Sequence, residues 1–151
     1  MDMNTEEDSS YPTHKQLMIG GDALKKLGNN RHTPDTDYLV HAPGKPLFYS
    51  DRAAKIDYVN AAGGNGFFAE VWRMEERNIG ELASPAALLA LRAYAMVQHI
   101  QSRNFPKADD CEHDMRFLIR SFNLGPPSVV KKYVDDEGWK EIEQVFQGMR
   151  R

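Results

Sequence analysis

The sequence predicts an α+β fold, with a small mixed sheet in its first half and helices in its second. Two short runs rich in β-formers, "DTDYLVHA" and "AKIDYVNA", carry the sheet. From Ser84 onward apolar residues recur at spacings of three and four, the helical period. Three parts follow: a lead-in over 1–13, an α/β core over 14–80 and a helical part over 81–151.

Taken in order, "MDMNTEEDSSYPTH" is acidic and polar, with Pro12 as a breaker. It has neither the basic start nor the apolar core of a secretory signal. "KQLMIGG" is a short apolar run ending in glycines. "GDALKKLG" has Ala23, Leu24 and Leu27 at helical spacing and Gly28 as a stop. A loop over Asn29 to Pro34 leads into the first strand. A turn at Pro43-Gly44 and a short third strand through Leu47 to Tyr49 separate the two main strands. "AAGGNG" is a loop, and the segment from Phe67 to Arg77 carries no clear period. Ser84 and Pro85 open the first long helix as cap and first-turn proline. "ADDCEHDMRFLIRSF", "PPSVVKKYV" and "EGWKEIEQVFQGM" read as three more helices.

Composition narrows the function classes. The 151 residues are 41% hydrophobic, enough for a packed core, and carry a net charge of -3. That charge argues against a general nucleic-acid coat but permits a local basic patch. The single Cys111 cannot form an internal disulfide, which suits a reducing compartment, so the expected location is cytoplasmic. No apolar run reaches the roughly 18 residues of a membrane span. The five histidines lack zinc spacing.

Asp35 and Asp37 are the residues that call for explanation. Two residues apart on a strand, they point to one face, where like charges repel. A divalent cation would relieve the conflict, since Mg²⁺ binds through one or two carboxylates together with phosphate oxygens. Asp57 lies in the middle of the other strand and joins the cluster if the strands are neighbours. Three carboxylates on adjacent strands suit a two-metal site for phosphoryl or nucleotidyl transfer. Gly20 and Gly21 lie at a helix start, where backbone N–H groups favour phosphate. Taken singly, Pro-Asp-Thr-Asp is ordinary turn chemistry, and a Gly-Gly pair is ordinarily just a turn.

This combination resembles the DNA polymerase beta-like nucleotidyltransferase superfamily. The shared signature is Gly-Gly, a gap of thirteen residues between Gly21 and Asp35, and then Asp-x-Asp. The fuller string, Gly20, Gly21, Ala23, Leu24, Arg31, Thr33, Asp35 and Asp37, is most similar to AbiEii-type minimal nucleotidyltransferases of toxin–antitoxin and phage-defence systems. The similarity extends over roughly residues 17–135 and includes the Ser-Pro helix start and "KADDCEHD". It implies a nucleotidyltransferase core in which Asp35, Asp37 and Asp57 bind Mg²⁺ (or Mn²⁺). Asp57 would also help deprotonate the attacking hydroxyl. Gly20 and Gly21 would contact the β- and γ-phosphates of an NTP, and Arg31 would contact phosphate or hold its loop. The reaction would move an NMP to a hydroxyl on RNA, such as a tRNA end, on a partner protein, or on a small molecule. A cognate toxin or antitoxin protein is the implied partner.

Two positions depart from the pattern. Asp22 stands where the family often has Ser or Thr, and a carboxylate there repels a triphosphate. Arg92 stands where a lysine is usual, and either reaches the active site or snorkels from the core. Lys107, Asp110 and Asp114 read as a solvated helix face, as a helix-pairing ion network, or as residues with a role at the cleft, where Arg92 and Lys107 would bind the nucleotide. Asp22 and the short chain motivate the alternative of a weak or inactive member acting as an antitoxin or interaction module. An accidental motif on an unrelated α+β domain is the third reading.

Overall fold

A computed structural model of the chain describes residues 15–30 and 35–149. The acidic lead-in and the loop residues Arg31, His32, Thr33 and Pro34 lie outside these. The chain divides into two compact units between Ala83 and Ser84.

The first unit holds a mixed four-stranded sheet. Strand β1 (Gln16–Ile19) runs straight into helix α1 (Gly20–Lys26). Strands β2 (Thr36–Val40), β3 (Phe48–Asp51) and β4 (Ile56–Asn60) follow. The sheet order is β1-β2-β4-β3. Only the β2–β4 pairing is parallel; β1–β2 and β3–β4 are antiparallel. The strand β1 was legible only as an apolar run. It forms because Leu17 and Ile19, two apart, bury one face. Its outer edge is also covered: Gly80 N–H donates to Gln16 O at 2.8 Å, Met18 N–H to Glu81 O and Ala83 N–H to Met18 O at 3.0 Å. That satisfies an edge that would otherwise invite pairing with another chain.

The segment without a clear period is helix α2 (Gly66–Met74), followed by a 3₁₀ turn at Glu76–Asn78. Asn65 caps it, its side-chain oxygen accepting from Phe67 N–H at 2.9 Å and Phe68 N–H at 3.2 Å. The adjacent aromatic pair at Phe67 and Phe68 obscures the helical period, because both side chains are buried.

One buried side chain ties the sheet to its loops. Asn60, wholly enclosed at the end of β4, accepts from the N–H groups of Ala42 and Ala62, both at 2.9 Å. Its amide donates to Ala42 O at 2.8 Å and Lys45 O at 3.0 Å. All of its side-chain hydrogen-bonding groups are thereby occupied.

The second unit is helical. Helix α3 (Pro85–Gln101) begins as expected, with Ser84 Oγ accepting from Ala87 N–H at 3.1 Å. Helix α4 (Phe105–Phe122) starts three residues earlier than its apolar period suggests, because Asn104 caps it and Pro106 fits its first turn. "SVVKKY" is a 3₁₀ segment, Ser128–Tyr133, rather than an α-helix. Helix α5 (Asp136–Gln147) is capped by Asp135. Gly138 lets α5 approach α3 closely: a Cβ there would lie 2.7 Å from Val97 Cγ1. Cys111 is buried within α4. No helix among the described residues is long and apolar enough to cross a membrane.

Candidate functional site

Strand register decides which side chains share a face. Asp37 is the partner of Ile19 on β1 and of Asp57 on β4, and Ser50 on β3 is the partner of Asp57. Register partners project to the same side of a sheet, as do residues two apart on a strand. Asp37, Asp57 and Ser50 therefore stand in a row across three strands. Asp35 lies just before β2 and outside the strand register. Leu39, Val59 and Phe48 continue the face away from the row, and helix α2 meets that end, with Phe68 edge-on to Phe48 at 6.3 Å and Trp72 stacked on His41 at 6.0 Å.

The Gly-Gly element reaches the same place. Because Ile19 pairs with Asp37, the turn from β1 into α1 passes directly beside that carboxylate. Gly20 has φ +75°, a left-handed conformation that disfavours any side chain. A Cβ at Gly20 would lie 2.0 Å from Asp37 Oδ2 and 2.9 Å from its Cβ. Glycine is thus required twice over. Gly20→Ala is expected to cost about 1–3 kcal/mol through its backbone conformation, plus the displacement of Asp37. Urea denaturation checks this, and the penalty should shrink in an Asp37→Ala background, where the closest clash is gone. Gly21 is buried, so Gly20 is the more accessible of the two.

Asp22 is turned toward the sheet. Thr36 Oγ1 donates to its Oδ2 at 2.6 Å, pinning α1 to the first residue of β2. Asp57 has an equally short bond, from Ser50 Oγ to Oδ1 at 2.6 Å. Ser50 and Thr36 are polar neighbours that strand pairing brings in. "FYSD" gives no hint of Ser50's role until β3 is registered against β4.

The described residues contain no group of three or more His, Cys, Asp or Glu gathered closely enough to hold a metal ion as it stands. The donor set is nevertheless all carboxylate oxygen, the chemistry that hard Mg²⁺ takes. The backbone register sets Asp37 beside Asp57. In residue type Asp37 and Asp57 suit the ion, and register makes them neighbours; Asp35 lies outside the strands.

Arg31 lies outside the described residues. Arg92 and Lys107 belong to the second unit. Arg92 Nε is 3.1 Å from Asp114 Oδ2, although its N–H does not meet the oxygen with hydrogen-bond geometry. Asp114 is fully buried, and His113 Nδ1 approaches its other oxygen at 3.7 Å. Lys107 is exposed in the first turn of α4. Its charge is felt by His99, whose pKa is lowered below 6.5 by burial first and then by Lys107 and Arg92. An NMR titration should place the His99 midpoint below 6.5, and Lys107→Ala should raise it, since removing a cation eases protonation.

The opposite face of the sheet carries a tyrosine row. Tyr58 stacks between Tyr38 at 6.2 Å and Tyr49 at 6.0 Å. Its pKa is raised by burial, then by Asp51 and its tyrosine neighbours. Val40, Ala42 and Ile56 pack with Tyr58 and Tyr38 as core, while Tyr49 at the edge is exposed.

No protein-family model matches the chain, and no curated protein matches it. The resemblance to nucleotidyltransferases therefore rests on residues of this chain alone.

Proposed function

We propose that the protein is a metal-dependent nucleotidyltransferase that moves an NMP from an NTP to a hydroxyl acceptor. The observation that carries the reading is the register of Asp37 against Asp57, with Gly20 pressed on the Asp37 carboxylate. Gly20, Asp37 and Asp57 are distant in the chain, and their adjacency supports this reading.

Asp35, Asp37 and Asp57 would hold Mg²⁺ or Mn²⁺, which when bound neutralises charge developing on the phosphate oxygens. Gly20 would let the triphosphate approach the backbone beside Asp37. Asp57, the carboxylate on the β3 side of the row, would accept the proton of the acceptor hydroxyl. Its bond from Ser50 fixes the carboxylate. Ser50→Ala should then change the rate by about threefold to tenfold, the worth of one hydrogen bond to a charged group. An unchanged rate would remove Ser50 from the mechanism.

Label transfer tests the reading. Purified protein is incubated with Mg²⁺ or Mn²⁺ and each α-labelled NTP, with total RNA and lysate protein as acceptors. Label that enters RNA or one protein band, and is lost in Asp35→Ala/Asp37→Ala, supports the enzyme and names the acceptor class. RNA ends and partner-protein hydroxyls, the latter in a toxin–antitoxin or phage-defence pair, are the acceptors of first interest.

Asp22 favours a second reading, a weak or inactive fold member that works by binding a partner. Its carboxylate sits in the first turn of α1, two residues from Gly20, and the Thr36 bond leaves its negative charge in place. No transfer by the folded protein, and transfer gained by Asp22→Ser, would identify that residue as the block.

A further inference from the structure

The second unit has a cavity of about 410 Å³ bounded by α3, α4 and α5, which the proposed chemistry does not use. Met96 and Ile100, one turn apart on α3, with Val145 of α5, give the apolar part of a lining that is otherwise polar. Phe105, in the first turn of α4, also lines it and is 55% exposed. A large aromatic left in water beside these apolar side chains marks a surface suited to a partner.

The rim is acidic. Asp109 and Glu112 line it from α4, and Glu141 lines it from α5. Phe105, Asp109, Glu112 and Arg116 recur every three or four residues and so form one stripe of α4. Arg116 is the cation of this lining, and it is committed to Glu112, with Nε 3.0 Å from Oε2. Asp109 and Glu141 have no ion-pair partner among the described residues.

From these apolar side chains and this rim we infer that the groove docks a basic amphipathic helix of another protein. Its large apolar side chains enter the hollow, and its flanking Lys or Arg residues meet Asp109 and Glu141. The volume accommodates a few large side chains, within the range of about 300–1,000 Å³ usual for ligand pockets. Helix-in-groove recognition uses this pattern of apolar anchors with a polar rim. Charge selects among occupants. Nucleic acid is repelled by the rim. The chain's own first ten residues carry Asp2, Glu6, Glu7 and Asp8 and no cationic side chain. A second copy, at net charge -3, is disfavoured as well.

The test uses the full chain and a fluorescein-labelled helical peptide of about 16 residues, long enough to be helical in part. Leucines occupy positions i, i+3, i+4 and i+7, and lysines flank them; a twin peptide carries glutamate in place of every lysine. Anisotropy should report binding of the lysine peptide only. Affinity should fall at least tenfold in Asp109→Lys/Glu141→Lys and in Phe105→Ser. It should be retained in Glu76→Lys/Glu81→Lys, which reverses the same amount of charge in the first unit. Amide shifts should map to α3, α4 and α5. The inference is overturned by no binding, by equal binding of the two peptides, or by equal loss in the two charge-reversed variants. Self-association in sedimentation that Phe105→Ser abolishes would overturn it in favour of a second copy.

Discussion

Asp37→Asn is expected to lower nucleotide transfer about a thousandfold while leaving the first unit folded. The substitution removes one charge and changes the side-chain volume little. Asp37 sits at the centre of the row, between the α1 turn and Asp57. It lies against Gly20 and is the register partner of Asp57. Loss of several kcal/mol of charge stabilisation corresponds to roughly three powers of ten in rate. The check is single-turnover label transfer together with Trp72 fluorescence as a fold control. A loss confined to KM, with kcat unchanged, would count against a role in the chemical step. Asp57→Asn should be as damaging. Thr36→Val should be far milder, because Thr36 acts only on Asp22.

Asn60→Ala should produce the largest loss of stability in the first unit, about 3–4 kcal/mol. Four hydrogen bonds disappear together, and the Ala42 and Ala62 N–H groups lose the oxygen that now accepts from both. Each buried polar group left unsatisfied costs about 1–3 kcal/mol, and the small residue leaves a void as well. Asn60→Asp tests the donor half separately. It keeps an acceptor for both N–H groups but sets a carboxylate against the carbonyls of Ala42 and Lys45. It should be no better than alanine. Urea unfolding monitored through Trp72, in a Trp139→Phe background, reads the first unit alone. With a slope of about 1–3 kcal/mol per molar urea, the midpoint should fall by at least 1 M. A shift below a quarter of that would mean that water replaces the amide at little cost.

The helical half was well marked in the sequence because its signals are local. A serine followed by proline and then a regular apolar period is enough to start α3, and the structure begins that helix there. The α+β class was legible for the same reason: alternation and period are properties of short windows. What escaped depended on partners distant in the chain. β1 is a strand by virtue of β2 on one side and residues 80–83 on the other. Ser50 acquires its place only when β3 folds back on β4. Asp22 read as a repulsive charge, yet its hydroxyl donor, Thr36, lies fourteen residues on and was visible only as part of the strand run. Arg92 was open between a site residue and a core residue, and its partner Asp114, twenty-two residues on and fully buried, carries no local signal.

Cys111 gives the molecule a built-in clock. Its thiol is 3% exposed within α4, so a disulfide reagent in solution reaches it only when that helix opens. It is the only cysteine in the chain, so the modification rate reports one event with no competing signal. When closing outpaces modification, the rate divided by that of an unstructured thiol gives the opening equilibrium of the second unit. In a Trp139→Phe background, Trp72 meanwhile reports the first. The two halves can thus be timed in the same tube, and a peptide seated between α4 and α5 would slow the thiol clock while leaving the tryptophan signal unchanged.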